Sequence, residues 1–211
     1  SSTNSGYGSV DRFNFGIAGG TATHSQESLT SGNPFDLGFR NFVRLTNTDV
    51  ITDAATHYRT MVQPIEAQNL ACSGWNYTSS SSTITLSFWV RSSVAQTYYG
   101  YVRIFDAAYL QSFSFELAAD TWTKVTKTIT GASGIQINND NGYGMQVLFA
   151  PYWGTNFTSS GATLDQWAAF NGNARVPDMD STWADTDEAT FDLTGVQLEV
   201  GSVATPFEHR S

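Results

Sequence analysis

The stretch Thr83-Ile84-Thr85-Leu86-Ser87-Phe88-Trp89-Val90-Arg91 decides the fold. Ile84, Leu86, Phe88 and Val90 fall on one side of a period-two pattern, and Thr83, Thr85, Ser87, Trp89 and Arg91 fall on the other. That alternation predicts an antiparallel strand with one apolar, core-facing side and one side in water. Trp89 is the exception, a large ring among polar neighbours on the outer side.

The same period recurs outward from this strand. Phe113, Phe115 and Leu117 alternate with Ser112, Ser114 and Glu116; Met145, Val147 and Phe149 alternate with Gln146, Leu148 and Ala150. The run Asp11 to Ile17 groups Phe13, Phe15 and Ile17, and Phe39, Val43 and Leu45 are expected to share a face. Tyr58 to Val62, Tyr99 to Phe105 and Trp122 to Ile129 add weaker strands. Near the end, Phe191 and Leu193 are in step with each other but out of step with Val196, Leu198 and Val200. One extra residue at Thr194-Gly195 restores a common face, which predicts a β-bulge there.

Turn-rich segments separate these runs: Ser31-Gly32-Asn33-Pro34, Ser79 to Ser82, and Asn138-Asn139-Asp140-Asn141-Gly142. Short strands with such punctuation predict an all-β, antiparallel β-sandwich of the jelly-roll kind over residues 1–211, with 1–9 as a linker or arm. One stretch breaks the pattern. Residues 151–188 form a long irregular excursion rich in Trp, Asp, Asn and Gly, too long for an ordinary connection. Within it, Gln166-Trp167-Ala168-Ala169-Phe170 could make one helical turn.

Composition narrows the function. Of 211 residues, 14% are aromatic and 40% hydrophobic, enough for a packed core. The formal net charge is −9, and Lys124 and Lys127 are the only lysines. Nucleic acid is a poor partner, because phosphate binding needs a basic patch. No run approaches the roughly eighteen apolar residues of a membrane helix, so no membrane insertion is expected. The single cysteine, Cys72, rules out an intrachain disulfide and reads as a buried structural thiol.

Motifs of nucleophilic, zinc-protease and nucleotide-binding chemistry are missing, and no pair of carboxylates singles itself out for glycoside hydrolysis. Two groups of residues remain. Tyr152, Trp153, Trp167 and Trp183 stand beside Asp178 and Asp180, a mixture that suits the apolar faces and hydroxyl fringe of a sugar. Tyr98, Tyr99 and Tyr101 could form a second platform. The same rings could equally close the core or an interface. Asp185, Asp187 and Asp140 offer hard oxygens for a structural Ca²⁺, or simply belong to solvated loops.

The run Gly195-Val196-Gln197-Leu198-Glu199-Val200-Gly201, followed by Ala204-Thr205-Pro206-Phe207-Glu208-His209-Arg210, resembles the closing segment of carbohydrate-binding-like jelly-roll modules of tailed-bacteriophage tail fibres and related virion proteins. Ser9-Val10-Asp11-Arg12-Phe13, His24-Ser25-Gln26, Phe42-Val43-Arg44-Leu45-Thr46-Asn47, Gln63-Pro64-Ile65-Glu66 and the Thr83–Arg91 strand resemble further parts of that pattern in the same order. Members usually carry another strand before the Val-Asp-Arg element and a Tyr-rich continuation after the end, and the excursion here is longer. The resemblance implies a non-catalytic virion module on a tail or appendage that binds host-surface glycan. It also implies other virion chains as partners and a homo-oligomer, a trimer above all. A missing first strand would leave a sheet edge for a neighbour to complete. A purely structural assembly or decoration protein and a polysaccharide depolymerase are the alternatives.

Overall fold

The computed structural model describes residues 5–8, 10, 12–50 and 55–209. The chain runs β1 (Gly6–Tyr7), β2 (Asn14–Ala18), β3 (Ala22–Ser28), α1 (Asn33–Asp36), β4 (Asn41–Asn47), β5 (Tyr58–Glu66), α2 (Ala67–Ala71), β6 (Thr83–Ser92), β7 (Gln96–Ile104), β8 (Tyr109–Leu117), β9 (Thr123–Thr130), β10 (Tyr143–Trp153), β11 (Trp167–Ala169) and β12 (Thr190–Val200). One sheet has the order β1-β2-β5-β10-β7-β8-β11 and the other β3-β4-β12-β6-β9. All pairings between these strands are antiparallel, so the molecule is a β-sandwich jelly roll. Of the arm expected over 1–9, residues 1–4 and 9 lie outside the described residues, as do Asp11 and Arg210; Gly6–Tyr7 pair with β2.

The core forms where the apolar sides of the two sheets meet. Ile84, Leu86, Phe88 and Val90 of β6 are all buried and face Phe113, Phe115, Val147 and Phe149 of the opposite sheet. Phe88 is the hub: its ring centroid lies 4.8 Å from that of Phe149 and 5.5 Å from that of Phe115. Each such ring contributes on the order of 1.5–3 kcal/mol by leaving water. Strand β12 carries the expected bulge. Thr194 pairs with Trp89 and Gln197 with Ser87, so three steps on β12 match two on β6. Gly195 takes the extra position with φ +60°, and a Cβ there would meet the Phe39 ring at 2.6 Å. Only glycine fits that backbone and that approach.

Both sheets are more covered than their alternation suggests. Thr85 and Ser87, on the outer side of β6, are buried, and the Thr85 hydroxyl donates to the Gly201 carbonyl at 2.7 Å. The segment 29–40 and the C-terminal segment cross this side and build a small outer cluster of Leu29, Phe39 and Phe42 with Phe35, Trp89, Trp122 and Phe207. Phe39 therefore does not share a face with Val43 and Leu45. It precedes β4, on a turn running out of α1, where strand parity no longer applies. Residues 151–188 cover the outer side of the other sheet, packing Phe157, Phe170 and Val176 onto Tyr101, Leu110, Leu148 and Trp153. The expected helical turn at 166–170 is instead β11, which pairs with the otherwise open edge of β8. Cys72 is exposed at the end of α2, not buried.

On the outer side of the five-stranded sheet, Asp192 of β12 is directly opposite Arg44 of β4 and Arg91 of β6. Its carboxylate is fully buried and accepts a bidentate pair from Arg44 (2.7 and 2.8 Å) and two more bonds from Arg91 (3.0 and 2.7 Å). Both guanidinium groups lie near the Phe42 ring, and that of Arg91 also lies 4.8 Å from the Trp122 ring.

Asp192→Ala removes both pairings at once and is expected to cost about 3 kcal/mol in urea unfolding. Arg44→Met, which leaves Arg91 on Asp192, should cost clearly less; equal losses would show that the row does not share its charge. A second test uses pH. Burial pushes the Tyr98 phenol well above its ordinary value, against a smaller opposite effect of the Ser92 hydroxyl. The folded chain then keeps this proton when the unfolded chain loses it, so the stability is intact below pH ~10 and lost as pH rises further. Unfolding midpoints should fall above that pH, and Tyr98→Phe should flatten the fall.

Candidate functional site

The structure spreads the residues singled out from the sequence over several environments. Trp183 is fully buried in the main core; its indole N–H donates to the Thr190 carbonyl (3.1 Å) and its backbone N–H to Gln96 Oε1 (3.0 Å). Tyr152 and Trp153 end β10 and are also buried. Trp153 packs against Tyr58 and Phe157 at 5.0 and 4.9 Å, with the Arg175 guanidinium 4.7 Å from its ring. Of the two readings of these rings, core packing describes all three. Trp167 is half-buried on β11, where its indole N–H donates to the Thr130 carbonyl at 2.6 Å.

Asp178 and Asp180 are exposed and flank Tyr99, whose phenol is raised by burial and further by these two carboxylates. Asp178 also accepts from the Thr158 hydroxyl at 2.8 Å. Tyr98 and Tyr101 point away from water and are buried, so the three tyrosines form no common platform. Among the expected metal ligands, Asp140 accepts from the Gly142 N–H (2.9 Å) within its own turn, and Asp185 accepts from the Ser181 hydroxyl (2.5 Å). Asp187 is exposed. Among the described residues, no group of three or more His, Cys, Asp or Glu side chains is placed to hold a metal ion.

Concave surface gathers instead around the bulge of β12. One cleft, of about 250 Å³, opens at the end of the sandwich where the two sheets part. Val43 and Leu193 form its floor, Phe13 and Val196 its apolar walls, and Gln26, Asn41 and Gln63 its polar lining. Strand parity explains the amides. Gln26 is in phase with Ala22 and His24, Asn41 with Val43 and Leu45, and Gln63 with Met61 and Ile65, so each occupies a core-side position of its strand. Asn41 opens β4 and Gln26 follows the last buried residue of its row, whereas Gln63 lies within β5. None of these three carboxamides has a hydrogen-bond partner among the described residues, whereas Arg12, in the same lining, is engaged.

A second cleft of about 340 Å³ lies across the bulge, beneath the C-terminal segment. Phe39, Trp89, Phe207 and Pro206 line it together with Ser87, Lys124 and His209. Phe39, Phe207 and His209 form a triangle of rings with centroids 4.8 to 5.1 Å apart, and His209 Nε2 lies 3.0 Å from the Leu37 carbonyl. Among the described residues, neither cleft is lined by Asp or Glu. A third, of about 530 Å³, contains Glu199 and Glu208. Burial acts to raise the Glu199 carboxyl, but hydrogen bonds from Thr205 and Gln197 outweigh it and hold the group below its ordinary value. That is the wrong direction for the acid of a hydrolytic pair.

The amides were legible as a signal only through parity: glutamine or asparagine in phase with a buried row. Aromatic abundance pointed to the excursion, where rings are needed to cover a sheet.

No protein-family model matches this chain, and no curated protein matches it. Among solved structures, the tailspike protein 4 enzymatically active domain of bacteriophage CBA120 superposes with a TM-score of 0.50 at 10% identity, over 90% of this chain and 19% of that one. The chain thus spans under a fifth of the tailspike chain it matches. A tandem family 22 carbohydrate-binding module from Paenibacillus barcinonensis gives a TM-score of 0.49 at 17% identity, over 92% of this chain and 47% of that one. A family 11 carbohydrate-binding module from Clostridium thermocellum gives 0.43 at 10%, over 93% and 94%. At these identities the likeness is one of fold.

Because Trp183 fills the core, Trp183→Ala is expected to lower stability by about 3–5 kcal/mol in thermal or urea unfolding. Under conditions where the variant stays folded, its ligand binding should match the parent; a selective loss of binding would return Trp183 to the site.

Proposed function

We propose that the chain is a non-catalytic, glycan-binding jelly-roll module of a tailed-phage virion, carried on a tail fibre or other appendage. The observation that carries the reading is the first cleft, where the unengaged carboxamides of Gln26, Asn41 and Gln63 stand beside Phe13, with a second, ring-lined cleft across the β12 bulge. A sugar presents C–H faces to rings and hydroxyls to amides, and these surfaces supply both. Non-catalytic action is supported by the described lining of those two clefts, which contains no Asp or Glu, since glycoside hydrolysis ordinarily needs two carboxylates across the bond. The closing segment's resemblance to tail-fibre modules supports a place in the virion, and the tailspike neighbour is a phage protein of the same fold.

Single shallow sites bind sugars weakly, and several copies on one appendage would raise the avidity by orders of magnitude. A trimer with other virion chains beside it fits that need. A second reading, virion assembly without sugar binding, is favoured by the exposed Leu37, Val200 and Val203, which offer apolar surface to a neighbouring chain.

The deciding experiment is binding of the purified chain, displayed multivalently, to a panel of bacterial surface glycans. Saturable binding without release of reducing ends is expected, with a loss of about tenfold in Phe13→Ala, whose ring walls the first cleft. A folded, multivalent sample that binds nothing on the panel would leave assembly as the function; release of reducing ends would make the chain a depolymerase.

A further inference from the structure

The first cleft has features that define its ligand more narrowly. Its volume of about 250 Å³ falls below the ~300–1,000 Å³ of pockets that enclose drug-sized ligands, so it has room for about one small ring system. Its inner end is closed: Val43 and Leu193 belong to the main core and are almost wholly buried. A sugar unit therefore enters from the open side and rests on that floor.

The polar lining is of one kind. Gln26 and Asn41 come from the five-stranded sheet and Gln63 from the other, so amides approach the opening from both sides. Each carboxamide offers two N–H donors and one oxygen acceptor, a set that matches neighbouring hydroxyls, which both give and take hydrogen bonds. Thr194 adds a hydroxyl at the rim, although it already donates to the Asn41 carbonyl at 2.8 Å. Among the described residues, Arg12 is the one ionisable residue in the lining; it has a partner already, and it is shared with the neighbouring cleft that contains Glu199 and Glu208. A carboxylate-bearing sugar would bring a charge that the amides cannot neutralise.

We infer that this cleft is a subsite for a neutral sugar unit, read through its hydroxyls by Gln26, Asn41 and Gln63 and through its apolar face by Phe13. The inference rests on the glycan-binding reading and sharpens it from a surface to an address: neutral sugar units, as opposed to acidic ones.

The test uses the whole chain. Binding to the best surface glycan from the panel is measured for the parent, for Gln26→Ala and Asn41→Ala, and for Gln63→Ala, each checked by thermal melting. Gln26 and Asn41 are exposed, so their truncation leaves the fold in place even where Gln63→Ala disturbs it. Competition with methyl glycosides of neutral hexoses and with the corresponding uronides is run alongside. Removing one ligand-facing amide should weaken binding about tenfold, the neutral glycosides should compete, and the uronides should not. Unchanged affinity in both exposed-amide variants, or competition by uronides alone, overturns this subsite while glycan binding itself stands. A parent chain that binds no glycan overturns both.

Discussion

The charged row Arg44–Asp192–Arg91 is the constraint on which the rest of the sandwich depends. Strand β12 contains two apolar sets that are out of phase, and a strand of that kind has two competing registers. A slip of one residue would favour Val196, Leu198 and Val200 at the expense of Phe191 and Leu193. Asp192 decides between them, because its buried carboxylate must meet an arginine on each neighbouring strand. With the first half of β12 locked, the mismatch is forced into Thr194–Gln197 and appears as the bulge. The clefts follow from it, since Thr194, Gly195 and Val196 line the first and Gly195 lines the second.

The arginines also explain how so acidic a chain covers its sheets. Arg40, Arg44, Arg91, Arg103 and Arg175 each lie over an aromatic ring, with Arg103 only 3.6 Å from the centre of Phe170. A guanidinium over a ring face hides its own apolar plane and that of the ring together. Excursion and sheet are joined in this way through Arg103 and Arg175, and the outer cluster around Phe42 through Arg44 and Arg91. These cations act within the structure as packing groups.

Period two made most of the fold legible. Thr83–Ser92, Tyr109–Leu117 and Tyr143–Trp153 are strands because their apolar residues alternate, and the phase break at Thr194-Gly195 located the bulge. Parity failed where a second layer covers the outer side of a sheet. Leu148 and Ala150 sit opposite the main core yet are buried, and Trp89 among polar neighbours was the visible trace of such a layer. The site was far less legible. Trp153 and Trp183 were conspicuous because Trp is rare, but a long excursion needs large rings to hold it down. Gln26, Asn41 and Gln63 are common residues, and only their place in core-facing rows distinguishes them.

The sheet edges limit how copies of the chain can be joined. Both lysines of the sequence lie on the edge strand β9, and Lys127 shares the parity of the buried Val125 and Ile129. A charge in step with the core side penalises any strand added there, since pairing would desolvate it. The edge of β8 is taken by β11, and that of β2 by Gly6–Tyr7. Strand β3 keeps a single partner, but its exposed residues are polar, and its fully buried His24 stacks on Phe15 of the opposite sheet at 3.8 Å. Adding a strand to β3 leaves that stack in place and gains little apolar burial. Extension of the sheets is thus a weak route to multivalency. Were copies of the chain to associate, side-chain surfaces away from the bulge would join them and leave the clefts open.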